Sequence, residues 1–173
     1  MTGPPASTEP APVVPERVPE AAPPPLAAPK GKASNTGDHG PFLITISAPN
    51  DEVQVGSDAR IVISLTNTSD HQILFAHRPG MNNPEFSYTI EVRNAAGRVV
   101  EPTAYGREAQ QRRGTEGRTV DYVQPGMSVA QMANLSKLVN LNQPGQYTVR
   151  VSQTDPATHK VVRSNEVTLN VVP

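Results

Sequence analysis

Ser69, Asp70 and His71 stand side by side, and a hydroxyl, a carboxylate and an imidazole are the parts of a serine hydrolase. Hydrolysis needs them to converge in space with the serine on a strained turn, and the chain has no G-x-S-x-G to supply one. Neighbours on a turn are expected to point apart, so a solvated turn is the better reading. His71 and His77, with Asp70 and Glu85 close in sequence, suggest a divalent metal site instead. An intervening strand would set the two histidines, six residues apart, on one face. Yet His39 and His159 lie elsewhere, and no H-x-x-x-H or repeated D-x-D spacing supports a ligand set. Asn50-Asp51-Glu52 likewise reads as a turn before it reads as calcium ligands. Neither a catalytic residue nor a metal or cofactor is expected.

The sharper candidate is an interaction surface. Tyr105, Arg107, Arg112, Arg113 and Arg118 fall within residues 103–118, where four arginines outnumber Glu108 and Glu116. Arginine with tyrosine is the pairing enriched at protein interfaces, and a guanidinium clamps carboxylates or phosphates bidentately. The stretch lacks apolar periodicity and reads as one long irregular insertion, which a compact domain tolerates when the loop is functional or mobile. Carbohydrate is a poorer fit. The chain has no Trp, and Tyr88 and Tyr147 belong to the core pattern, leaving Tyr105 and Tyr122 as surface aromatics.

The totals narrow the partners further. Fifteen basic against sixteen acidic residues give a net charge of -1, which removes the broad electrostatic case for nucleic acid or an anionic membrane. No run approaches the ~18 apolar residues that span a bilayer. Without cysteine there is no disulfide framework and no thiol chemistry. The start, Met1-Thr2-Gly3-Pro4-Pro5, has neither a basic segment nor an apolar stretch of signal-peptide type. The expectation is an extracytoplasmic protein whose leader has been removed, with a cytoplasmic one as the alternative.

The elements that must carry these residues begin after a change of composition. Residues 1–41 hold 11 of the 19 prolines and none of the seven aromatics. They read as a disordered Pro/Ala-rich tail, semi-rigid where proline favours polyproline II and flexible from Lys30 to Gly40. Residues 42–173 switch to period two. Phe42, Ile44 and Ile46 alternate with Leu43, Thr45 and Ser47, Val53 and Val55 resume after Pro49-Asn50-Asp51, and Ile61, Ile63 and Leu65 follow. Further strands are read at 71–76, at 86–92 (Phe86, Tyr88, Ile90, Val92), at 120–123 and at 127–135. Asn94-Ala95-Ala96-Gly97 reads as a hairpin, and Leu135 to Leu141 as a strand end with a corner loop. Eight or nine short strands without a long helix define an all-β antiparallel sandwich.

Pro144-Gly145-Gln146-Tyr147, a Pro-Gly turn feeding a tyrosine at a strand start, looks like the tyrosine corner of immunoglobulin-like sandwiches. With the Asn67-Thr68-Ser69-Asp70 turn and the final strand Ser164–Val171, residues 42–172 resemble bacterial immunoglobulin-like domains, without the Cys pair and core Trp of antibody domains. The layout from Leu65 to Val151 is also similar to the bacterial intracellular proteinase inhibitor family. The first resemblance implies a non-enzymatic protein-interaction or structural module on a flexible stalk. The second implies an inhibitor presenting 77–85 or 103–118 to a protease, and an accessory domain of a secreted enzyme or secretion complex is the third reading. Because the tail has no apolar set to bury, deleting residues 1 to 40 should leave the melting temperature unchanged, as paired thermal melts will show. A loss of several degrees would mean that the tail packs on the domain.

Overall fold

The computed structural model describes residues 40–77, 84–112 and 119–173. They form, in chain order, β1 (Phe42–Ser47), β2 (Glu52–Gln54), β3 (Arg60–Asn67), β4 (Ile73–His77), a 3-10 turn (Pro84–Phe86), β5 (Thr89–Asn94), α1 (Ala104–Gln111), β6 (Thr119–Val123), β7 (Ser128–Asn134), α2 (Leu135–Leu138), β8 (Gly145–Thr154) and β9 (Val161–Val172). Alternation builds two layers. One sheet runs β1-β3-β7 and the other β2-β9-β8-β5, while β4 and β6 form a two-stranded ribbon. The inward positions Ile44, Ile46, Ile61, Ile63 and Leu65 of the first sheet meet Val92, Val149, Val151 and Leu169 of the second, all buried in one apolar cluster. Fully burying each such side chain stabilises by about 1.5–3 kcal/mol, so the core holds without a disulfide.

Polar side chains fix how the layers join. β3 and β4 run on in one direction, β6 and β7 return against them, and the fully buried Asn67 sits at the joint. Its amide nitrogen Nδ2 donates to the carbonyls of His71 (2.7 Å) and Val123 (2.8 Å), and its Oδ1 accepts from the Ser69 backbone N–H (2.9 Å) and hydroxyl (2.7 Å). Its own backbone is paired as well, donating to Met127 and accepting from Gly126. Asn67 begins a potential glycosylation sequon, but its amide is occupied and out of solvent. At the opposite edge of the β1-β3-β7 sheet, Asn165 of β9 clamps Ile46 of β1, accepting from its N–H (2.8 Å) and donating to its carbonyl (2.9 Å). That clamp ties the two sheets together.

Four local features differ from the sequence reading. β2 pairs in parallel with β9, because the turn after β1 carries the chain across to the other sheet. Residues 84–86 are a 3-10 turn, so the strand read from Phe86 begins only at Thr89. His71 precedes β4, since Asn67 holds its carbonyl in the turn. Leu135–Leu138 is a single helical turn: Asn134 caps it by accepting from the Ser136 N–H (3.1 Å), and both leucines are buried.

The corner before β8 has Pro144 leading into Gly145 at φ 151°, a conformation closed to other residues at low cost, and the Tyr147 phenol donates to the Gln143 carbonyl at 2.8 Å. Two packed sheets with this corner make an immunoglobulin-like all-β sandwich. The two core tyrosines differ sharply. Tyr147 has a partner, whereas the Tyr88 hydroxyl, beside Phe75, has none among the described residues, and burial pushes its pKa well above the usual phenol value. Tyr147→Phe should therefore cost about 1–3 kcal/mol in denaturant unfolding. Tyr88→Phe should be neutral or stabilise by about 1 kcal/mol, because it removes a desolvated hydroxyl that gains nothing in return. A loss of stability on Tyr88→Phe would reveal an unrecognised partner.

Candidate functional site

The stretch read as an irregular insertion is half helix. Thr103 caps α1: its hydroxyl accepts from the Gly106 N–H (3.0 Å) and donates to the Lys137 carbonyl (2.5 Å). The buried face of α1 consists of Gly106 and Ala109, residues too small to show as apolar periodicity. Their size lets α1 lie directly on α2; a Cβ at position 106 would stand 2.0 Å from the Leu138 carbonyl oxygen. Over Ala104–Gln111 the expected loop at 103–118 is therefore helical and not extended.

Within α1 the helix sets Arg107 apart from Tyr105. Tyr105 is 37% exposed and its phenol donates to Glu85 Oε1 at 2.5 Å, tying α1 to the 3-10 turn. Partial burial and this bond push its pKa up to about 12. Arg107 lies roughly 200° around the helix from Tyr105 and bonds the Pro102 carbonyl (2.9 Å). Arg112 pairs with Glu108 (2.7 Å). Arg113 and Arg118 fall outside the described residues, as does most of the other proposed inhibitory loop, 77–85.

Tyr105 instead opens onto a surface that sequence reasoning passed over. It lines a cleft of about 540 Å³ with Glu85, Met132, Asn134, Lys137 and the ion pair Asp58–Arg60 (2.6 Å). The Arg60 guanidinium, helped by the Asn134 amide, holds the Asp58 carboxyl below its ordinary range. A second cleft of about 330 Å³ shares Asp58, Arg60 and Met132 and extends toward Asn50 and Val53.

From Met132 the surface continues over the outer face of the β1-β3-β7 sheet. Register places Leu43, Thr66 and Ser128 in one row, Thr45, Ser64 and Ala130 in the next, and Ser47, Val62 and Met132 in the third. All nine are half-buried or exposed, and none is charged. The outer face of the other sheet is the opposite: Glu91, Arg150 and Glu166 align across three strands, with Arg93 bonded to Glu91 and Arg150 to Glu166. Alternation predicts which residues point outward, and the missing charge was legible in their identities.

The parts of the hydrolase candidate come apart in the turn. Asp70 and His71 do meet, at 2.9 Å, contrary to the expectation that they point away from each other. The Ser69 hydroxyl, however, has its one proton shared between Asn67 Oδ1 and the His71 carbonyl, not directed to the imidazole. No group of three or more His, Asp or Glu side chains able to hold a metal is found among the described residues. No helix there is long and apolar enough to cross a membrane.

The site is thus a surface on an immunoglobulin-like sandwich, without an assembled catalytic group among the described residues. No protein-family model matches the chain, and no curated relative matches it. Among solved structures it is similar to the CARDB domain of the PF1109 protein from Pyrococcus furiosus, crystallised with di-metal ions, at 12% identity over 76% of this chain and 87% of that one, with TM-score 0.40. It is also similar to β-glucosidases from Erythrobacter marinus (15% identity, TM-score 0.41) and Listeria innocua (13%, TM-score 0.42), again over 76% of this chain but only 15% and 16% of theirs.

Gly106→Ala sets two effects against each other. Helix propensity favours alanine by about 1 kcal/mol, but the clash is with backbone, and overpacking costs about 1–3 kcal/mol. Sterics should win, so the melting temperature should fall and the Tyr105–Glu85 contact should be lost from the Tyr105 side-chain resonances. An unchanged melt would show that α1 does not rest on α2.

Proposed function

We propose that this chain is a non-enzymatic protein-interaction module that docks a partner on the outer face of the β1-β3-β7 sheet, with the clefts around Met132 and Tyr105 as its rim. The uncharged three-by-three array carries this reading. Burying an unpaired charge costs several kcal/mol, whereas small aliphatic groups and hydroxyls that find partners are buried at low cost. Protein interfaces have this plan, a charge-depleted centre inside a polar rim. A stable contact covers about 800 Å² per partner, more than nine small side chains provide, so the rim with Arg60, Lys137 and Tyr105 must join in. In this reading residues 1–41 are a stalk that holds the module away from its attachment point, outside the cytoplasm.

Ser64→Lys places a charge at the centre of the array. The melting temperature should stay within the change of about 0.5 kcal/mol usual for surface sites, while capture of partners from native-host extract is lost. Glu166→Lys, on the charged outer face of the other sheet, should leave capture intact. Capture that survives Ser64→Lys and fails with Glu166→Lys would move the contact to that sheet.

A further inference from the structure

A further cleft, of about 740 Å³, lies beside β5 between residues 98–101 and the tyrosine corner. Residues 98–100 extend the hairpin: the Arg98 carbonyl accepts from the Asn94 N–H (3.0 Å) and the Val100 N–H donates to the Val92 carbonyl (2.9 Å). Arg93 and Val99 are paired antiparallel between these bonds. Alternation along an extended chain turns the N–H and C=O of Val99 to the other edge, the side on which the Glu101 carbonyl accepts from the Asn140 N–H (3.0 Å). Neither Val99 group has a partner among the described residues, and the side chain is 59% exposed. The same cleft is lined by Asn140, Asn142, Gln143 and Gln146, exposed residues whose carboxamides are unbonded among the described residues.

We propose that this cleft binds an extended peptide by strand addition, its backbone pairing with Val99 and its remaining amide groups taken up by the Asn140 and Asn142 carboxamides. An unpaired backbone edge is a template for another strand. A carboxamide offers a donor and an acceptor side by side, matching the N–H and C=O of a peptide. The molecule already uses that match internally, where Asn165 grips Ile46 through both groups. Sugar is disfavoured because the one aromatic ring among the described residues lining the cleft, Tyr147, is only 6% exposed and offers no stacking face. The site is separate from the uncharged sheet face and stands whether or not that face docks a partner.

The test is selection of a phage-displayed library of linear peptides on the full chain, followed by titration calorimetry and amide-shift mapping with one enriched peptide. Shifts should centre on residues 98–101 and 140–146. Val99→Pro, a substitution tolerated on an open edge, should weaken binding about tenfold, the worth of one strong backbone bond. Asn140→Ala with Asn142→Ala should weaken it several-fold. Methylating the peptide's central backbone nitrogens should reduce binding by a similar factor, a readout independent of how any variant folds. The proposal is overturned if no peptide is enriched, if the shifts fall elsewhere, such as on the outer face of the β1-β3-β7 sheet, or if the N-methylated peptide binds as well as its parent.

Discussion

The arrangement depends on one carboxamide. Asn67 is placed where a ladder between β3-β4 and β6-β7 would otherwise break, and its side chain supplies the donors and acceptors that the interrupted backbone lacks. A buried carbonyl or N–H left unpaired costs about 1–3 kcal/mol, and two carbonyls, one N–H and the Ser69 hydroxyl converge on this side chain. Its position also sets where β4 begins, hence where Ile73 and Phe75 enter the core and where Phe75 meets the Tyr88 ring at 6.1 Å.

The same device recurs in a chain without cysteine. Asn165 joins β1 to β9 across the sheet boundary, and Asn94 accepts from the Ala96 and Arg98 N–H groups to shape the hairpin beside the peptide cleft. Such contacts are directional, so they select one register where apolar burial alone would allow several. The two outer faces then diverge. One carries aligned opposite charges suited to water, and the other carries only hydroxyls and aliphatic groups.

Strands were the most legible part of the sequence, because Ile61, Ile63 and Leu65 or Tyr147, Val149 and Val151 announce a period of two directly. The corner was legible through Pro144, Gly145 and Tyr147. α1 was hidden for a physical reason: it is anchored by Gly106 and Ala109, whose value is their lack of bulk, and hydrophobicity patterns do not register absent atoms. Asn67 was read as an ordinary turn residue, since nothing local marks an asparagine as buried. In the candidate site Tyr105 was found, but Glu85, Asp58, Arg60 and Met132 reach it from separate elements, and only tertiary contact brings them there.

The clamp between Asn165 and Ile46 spans 119 positions. On a ribosome adding about 5–20 residues each second, β1 emerges roughly 6–24 s before the strand that closes it. For most of that interval the layer opposing Ile44 and Ile46 lacks β8 and β9, and the open edge of β1 is a template for any neighbouring nascent chain. The sandwich is therefore completed only after most of it has been synthesised, and the sequence must survive that wait by slow self-association or by a chaperone's cover.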